Sequence, residues 1–175
     1  MRKIKIDIVG ICETRRHADL TAQWWNGDQV YLRKAQGNQA RTGGVGFIIR
    51  KRAVPFFVSF DTVSLRTAGL VLRVDKKRTL KTVQGYSATQ QADDEEVEQF
   101  YEEIERMMQR RTTYTTVQGD FNATVGKQHD KELLLRKFGN GTRNERGPRL
   151  LSFAESRRLH VMNTLFQKSE KHQWT

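Results

Sequence analysis

The sequence predicts a mixed α/β fold, a strand-rich body covered by a few amphipathic helices. Three patterns point there: an apolar alternation near the amino terminus, a middle block of short β-rich runs divided by turn residues, and one long apolar stripe at helical spacing. Ile4, Ile6 and Ile8 alternate with Lys5 and Asp7 before Val9-Gly10-Ile11-Cys12, so one strand begins half exposed, becomes buried and delivers Glu13 at its end. A polar stretch follows around Trp24-Trp25-Asn26-Gly27-Asp28. The runs 44–49, 54–60, 68–74 and 79–86 then read as antiparallel sheet, separated by Thr42-Gly43-Gly44 and Asp75-Lys76-Lys77. Residues 93–111 form the clearest helix: Val97, Phe100, Tyr101, Ile104, Met107 and Met108 make one stripe, with acids in the first turn and Arg at the end, matching the helix dipole. A β-rich run at 112–123 comes next. The charged, glycine-rich segment 126–147 reads as a surface loop with a short helix near 131–137. A second helix is expected over 148–158 with Pro148 in its first turn, and a strand start at 160–163.

At 175 residues and 20.4 kDa the chain suits one domain with a substantial core. Lys plus Arg number 31 against 20 Asp plus Glu, a formal charge of +11, which favours a polyanionic partner such as nucleic acid or an acidic membrane surface. The basic residues are dispersed in pairs and triplets, and solvated faces are the alternative reading of each. A single cysteine, Cys12, excludes an internal disulfide framework and a cysteine-rich zinc site; its apolar neighbours suggest a buried thiol and a reducing compartment. No run approaches the roughly 18 apolar residues of a membrane span, and no signal-peptide block follows the amino terminus. The expectation is an intracellular chain, nuclear or cytoplasmic, not secreted and without a membrane partner.

The chemistry is expected at strand ends. In an extended run Asp120 and Asn122 would aim to one face, although a Gly-Asp turn with Asn122 as a cap is the other reading. Glu13, Tyr86 and Asp120 each close a strand-like segment, and carboxylates brought from separate strand ends can hold a hard divalent cation such as Mg²⁺. Glu13 is the natural ligand; its alternative is an ion pair with Arg15 or Arg16. His17, His129, His160 and His172 lack the partners of a catalytic histidine and read as surface or structural residues.

Five ordered blocks carry a resemblance. They are Asp7-Ile8-Val9-Gly10-Ile11-Cys12-Glu13-Thr14-Arg15, Gly43-Gly44-Val45-Gly46-Phe47-Ile48-Ile49, Gln84-Gly85-Tyr86-Ser87-Ala88-Thr89, Gly119-Asp120-Phe121-Asn122-Ala123, and Thr142-Arg143-Asn144-Glu145-Arg146-Gly147 with Asn163-Thr164-Leu165-Phe166 and Trp174-Thr175 beyond. Together they resemble the endonuclease/exonuclease/phosphatase superfamily, and within it the apurinic-type endonuclease domain of non-LTR (RTE-like) retrotransposons and the craniofacial-development-protein-2-like proteins. The resemblance implies an α/β (α+β) sandwich, two packed mixed β-sheets flanked by helices in the DNase I manner, as one domain over 1–175 that is incomplete at both ends. It lacks an Asn-bearing strand ahead of the Glu block and an Asp strand and Ser-Asp-His segment beyond Trp174. The chain also reads Tyr86-Ser87-Ala88 where the family commonly has Tyr-Ala-Pro.

The implied activity is Mg²⁺-dependent phosphodiester hydrolysis, with Mn²⁺ as an alternative ion, nicking DNA. The resemblance makes Glu13 the metal ligand and sets Tyr86 near the scissile phosphate. Asp120 and Asn122 would handle the attacking water and developing charge. Asn144 would touch the phosphate, with a turn or cap role as its alternative. Arg15, Arg50, Lys51, Arg52, Arg143 and Arg146 are the candidate nucleic-acid contacts, and DNA and a fused or associated reverse transcriptase the expected partners. A catalytically inactive relic that binds nucleic acid, and a phosphoinositide-type phosphatase, are the rival functions.

Overall fold

The computed structural model describes residues 6–35, 43–87, 92–129 and 132–167 and divides into two compact units, Met1–Asp120 and Phe121–Thr175. Of the sequence blocks, Ile4, Lys5, Thr42, Ala88, Thr89, Lys131, His172, Trp174 and Thr175 lie outside the described residues.

The first unit holds two four-stranded sheets. In one, β1 (Ile8–Ile11), β2 (Leu20–Gln23), β3 (Gln29–Leu32) and β4 (Gly46–Ile49) run in the order β1-β4-β3-β2, every pair antiparallel. In the other, β5 (Phe57–Thr62), β6 (Thr67–Arg73) and β7 (Thr79–Tyr86) form an antiparallel meander, and β8 (Tyr114–Asp120) joins β7 in parallel. A parallel neighbour needs a crossover, which α1 (Asp94–Met108) supplies. The two-sheet sandwich is therefore present, with a mixed second sheet.

Alternation along the strands builds the core between the sheets. Val45, Phe47 and Ile49 from the first sheet meet Ala68, Leu70, Leu72 and Tyr86 from the second, and Tyr31 stacks on Phe57 with centroids 5.0 Å apart and planes 5° apart. The opposite face of β6 and β7 takes α1, whose Val97, Phe100, Tyr101, Ile104 and Met107 are buried as the stripe predicted, while Met108 is half-buried. Asp93 caps the helix, accepting the Glu96 N–H at 2.8 Å.

Buried charges complete this layer. Glu103, absent from the apolar stripe, is buried and accepts the hydroxyls of Ser64 (2.6 Å) and Thr67 (3.1 Å). Lys81, 2% exposed, donates through Nζ to the carbonyls of Met107 (2.9 Å), Met108 (3.3 Å) and Arg110, satisfying acceptors that the end of α1 leaves open.

One local expectation is refined and three are corrected. The polar stretch 24–28 is the turn of a hairpin, β2–β3, whose four-residue strands are too short for a clear alternation. Val54–Phe56 is a 3₁₀ turn rather than strand, because Pro55 lacks an N–H and fixes φ, so β5 begins at Phe57. In the second unit Met162–Thr164 is likewise 3₁₀ rather than strand, and 133–138 forms bends and a turn where a short helix was expected. That unit also contains α2 (Gly147–Ser156), with Phe153 and Ala154 buried, and Leu135 with no exposed surface. Thr164 ties its chain together: Oγ1 donates to the Val161 carbonyl (2.7 Å) and accepts the Arg136 N–H (2.9 Å).

Candidate active site

Three strands of the first unit bring their carboxyl ends together. β7 and β8 are parallel, with Tyr86 opposite Asp120 in register, and the Ser87 N–H donates to the Asp120 carbonyl at 2.8 Å. Gly119 permits this approach. Its φ is +140°, and a Cβ there would lie 1.9 Å from the Gly85 carbonyl oxygen. β1 comes from the facing sheet, and beyond it Glu13 and Arg15 adopt left-handed φ values of 52° and 50°. Two bonds hold that turn, Thr14 N–H to the Gly44 carbonyl (3.1 Å) and Arg15 N–H to the Gly43 carbonyl (3.2 Å). The Gly43-Gly44 pair, read in sequence as a strand boundary, thus also docks the Glu13 turn. Left-handed non-glycine residues persist where surrounding structure over-determines them, and they concentrate at functional sites.

The Tyr86 hydroxyl donates to Glu13 Oε1 across the sandwich, and Arg15 Nη2 donates to Glu13 Oε2 at 2.9 Å. The Tyr86 bond first and Arg15 second hold the Glu13 carboxyl below its ordinary range. Burial first, then the bond to Glu13 and the charges of Glu13 and Asp120, push the Tyr86 phenol up to about 12. Near neutral pH the pair is therefore an ionised carboxylate and a protonated phenol, so Tyr86 is a donor and not a base. The Tyr86 ring is 4% exposed whereas the Glu13 side chain is 40% exposed, so the carboxylate is the solvent-facing member.

Below this pair lies a polar ladder that sequence reasoning missed. Gln118 Nε2 donates to Gln84 Oε1 (3.0 Å), Gln84 Nε2 donates to Cys12 Sγ (2.8 Å), the Cys12 thiol donates to the Gly85 carbonyl (3.3 Å), and one step further Thr116 donates to Thr82 (3.1 Å). Cys12 is half-buried as well as hydrogen-bonded, and burial is the main cause that raises its pKa, which keeps it a thiol. A period-two polar pattern is ordinarily read as a solvent face; here Thr82 and Gln84 on β7 are buried, with Gly10 of β1 passing over Gln84, while Thr116 and Gln118 on β8 stay exposed. The sign in the sequence was Gly10, where a Cβ would fall 1.7 Å from Gln84 Oε1.

Since β4 is antiparallel to β1, with Ile49 opposite Ile8, Arg50, Lys51 and Arg52 sit at the other end of the first sheet from Glu13. There Arg50 pairs with Asp28 (3.3 Å) and Arg52 with Asp7. In the second unit Asn122 has φ 49°, and β8 has already ended at Asp120, so the same-face alternation expected of Asp120 and Asn122 stops before it. Asn144 clasps its own loop: Oδ1 accepts the N–H groups of Thr124 (2.9 Å) and Gly147 (3.0 Å), and Nδ2 donates to the Asn122 carbonyl (3.1 Å). Arg143 forms a bidentate pair with Glu132 at 2.7 and 3.0 Å and donates through Nε to the Val125 carbonyl. Arg146 is half-buried at the residue preceding α2. His17, His129 and His160 are exposed.

The donor set bears on which cation could be held. Among the described residues no group of three or more His, Cys, Asp and Glu side chains is arranged to enclose a metal. An ionised, partly exposed Glu13 with Asp120 on a neighbouring strand end instead fits an ion that keeps most of its waters and takes one or two carboxylates together with a substrate phosphate, the habit of Mg²⁺.

Comparison with protein-family models finds no match. Craniofacial development protein 2 of Bos taurus is 30% identical over 183 aligned positions, which take in 100% of this chain and 29% of the relative. Craniofacial development protein 2 of Tragulus javanicus is also 30% identical over 183 positions, covering 100% of this chain and 30% of the relative. The chain spans under a third of the length of these curated relatives. Over its whole length, this chain is a relative of one segment of craniofacial development protein 2.

Proposed function

We propose that the chain carries the catalytic face of a Mg²⁺-dependent phosphodiester hydrolase that nicks DNA, of retrotransposon endonuclease descent. The observation that supports this reading best is the Tyr86–Glu13 bond across the sandwich, with Asp120 in register beside Tyr86. Residues from three distant sequence blocks meet there at one strand end, two of them with pKa values driven apart, a pattern associated with functional sites. Glu13 is the carboxylate that would hold the ion, with Mn²⁺ as a substitute. When bound, that ion supplies charge neutralisation at a phosphate oxygen and orientation of the substrate.

The residues divide the remaining work. Tyr86 keeps its proton, fixes the rotamer of Glu13, and can turn its hydroxyl to a phosphate oxygen when Glu13 takes another partner. Asp120, exposed at the strand end, can orient or deprotonate water. Arg15 offers a cation to a phosphate entering beside Glu13. Asn144 is a positioning residue for the loop that bears Asn122.

Nicking of supercoiled plasmid in Mg²⁺ and in EDTA tests the proposal. The expected result is relaxed circle only with the ion, lost in Glu13→Gln and Asp120→Ala. Nicking at wild-type rate in both variants would overturn the assignment. A second reading, nucleic-acid binding without turnover, is supported by the prior engagement of both Glu13 oxygens. DNA retention that falls steeply with salt, without ion-dependent cleavage, would favour it. Hydrolysis of soluble phosphoesters but not DNA would favour a small-phosphoester substrate. A nuclear or cytoplasmic site and a reverse transcriptase partner belong to the same proposal; no helix among the described residues is long and apolar enough to cross a membrane.

A further inference from the structure

The tip of the β2–β3 hairpin presents two tryptophans to solvent. Trp25 is 100% exposed and Trp24 44%. The tip is nevertheless tightly built. Trp24 donates its N–H to the Asp28 carbonyl and accepts that of Gly27, both at 2.8 Å, and Gly27 takes φ +87°, the left-handed residue that closes a type I turn into a hairpin. Asn26 accepts the Asp28 N–H (3.0 Å) and donates to the Asp28 carboxylate (2.9 Å). Trp25 occupies a central turn position where a polar residue would serve the fold equally well.

A basic turn is stapled to this tip. The Asp28 carboxylate, 3% exposed, accepts the Lys51 N–H (2.8 Å) and pairs with Arg50 (3.3 Å). The Lys51 stem covers Gly27, where a Cβ would lie 2.8 Å from Lys51 Cδ, and its ammonium has no hydrogen bond or ion pair among the described residues. The Arg50 and Arg52 side chains are 55% and 56% exposed. Two exposed indoles on a braced turn, beside Lys51 and the ion-paired but half-exposed Arg50 and Arg52, are the elements that bind single-stranded nucleic acid, whose bases stack on aromatic rings while phosphates meet the positive charge.

We propose that this tip is a stacking anchor for single-stranded nucleic acid, at the opposite end of the first sheet from Glu13. Roughly 13 Å of β-strand separates the two ends, a few nucleotides of extended chain. The net charge of +11 agrees with a polyanion. A lipid surface fits less well, because Gln23, Asn26 and Gln29 flank the tryptophans in sequence where aliphatic side chains would be needed to enter an acyl layer. The inference concerns affinity and does not rest on turnover at Glu13.

Fluorescence anisotropy with a labelled single-stranded oligonucleotide, measured in EDTA so that ion-dependent cleavage plays no part, tests it. Trp25→Ala should weaken binding about ten-fold, as expected for loss of one stacked base. Trp25→Phe should restore most of the affinity, and Lys51→Glu should both weaken binding and flatten its salt dependence. Because Trp25 is fully exposed, circular dichroism of Trp25→Ala should match wild type. Oligonucleotide affinity unchanged in Trp25→Ala overturns the proposal, whatever the plasmid assay gives. So does Trp25-dependent binding to phosphatidylserine vesicles with no effect on the oligonucleotide. Trp25-dependent oligonucleotide binding by a chain that never nicks plasmid sustains it while removing the hydrolase reading.

Discussion

Strand β7 buries two ionisable side chains five positions apart on opposite faces, and they are satisfied in opposite ways. Lys81 faces α1 and donates its ammonium to three backbone carbonyls at the end of that helix. Burial is the main cause that lowers its pKa, with the Arg110 charge behind it. Tyr86 faces the other sheet and gives its proton to Glu13, a side chain that itself reaches solvent and Arg15. The Lys81 partners cannot be exchanged without unwinding the helix end; the Tyr86 partner can move to an ion or a phosphate by a rotamer change. Burial and a shifted pKa are common to both, so the freedom of the partner is what separates a structural group from a candidate catalytic one.

The sharpest break of this contrast is functional. Asp120→Ala should lower ion-dependent nicking by about 10²-fold or more while leaving DNA affinity nearly intact, because the loss falls on the transition state. Plasmid relaxation and a binding isotherm in EDTA read the two quantities separately, and a parallel fall in affinity would move Asp120 into substrate binding. On the structural side, Gly119→Ala should cost about 3 kcal/mol or more in urea denaturation, since left-handed strain and overlap with the Gly85 carbonyl add. A cost under about 1 kcal/mol would mean that β7 and β8 can part at this end.

Lys81→Met should cost about 1–3 kcal/mol by leaving helix-end carbonyls without a donor. A shift in urea midpoint with nicking per folded molecule retained would confirm a purely structural role; loss of nicking at unchanged stability would erase the distinction from Tyr86.

The finest test uses pH. The folded-state pKa of Tyr86 lies above the unfolded value of about 10, so its contribution is fully present below that pH and is lost as pH rises towards about 12. Wild type should lose up to about 2 kcal/mol more than Tyr86→Phe between those limits. Equal slopes would show that the phenol titrates normally. Glu13 works in the other direction: its folded pKa is depressed, so its contribution is present above the ordinary glutamate value of about 4.3 and disappears as pH falls through the folded value.

Local chemistry accounts for what was readable in advance. The stripe from Val97 to Met107, its acidic first turn and the Asp93 cap belong to one helix, so periodicity located α1 to within a few residues. The strand ends at Glu13, Tyr86 and Asp120 were legible for the same reason, as was the possibility that Glu13 pairs with Arg15 and Asn144 caps a turn. Short elements were not. Four residues of β2 and four of β3 hold too few alternations to register, and Pro55 redirected a run that composition alone read as strand.

What the sequence by itself determined was therefore the order and type of the long elements, their apolar faces, and which polar residues stand at strand ends. Tertiary structure alone decided which polar residues are buried and which charges share an end. Gln84 is buried where Gly10 of β1 passes over it, Glu103 and Lys81 are enclosed by a loop and a helix end, and Arg50 to Arg52 fall opposite Glu13 because β4 runs antiparallel to β1. Periodicity reports a residue's place on its own element, whereas burial and proximity depend on what packs against that element from distant parts of the chain.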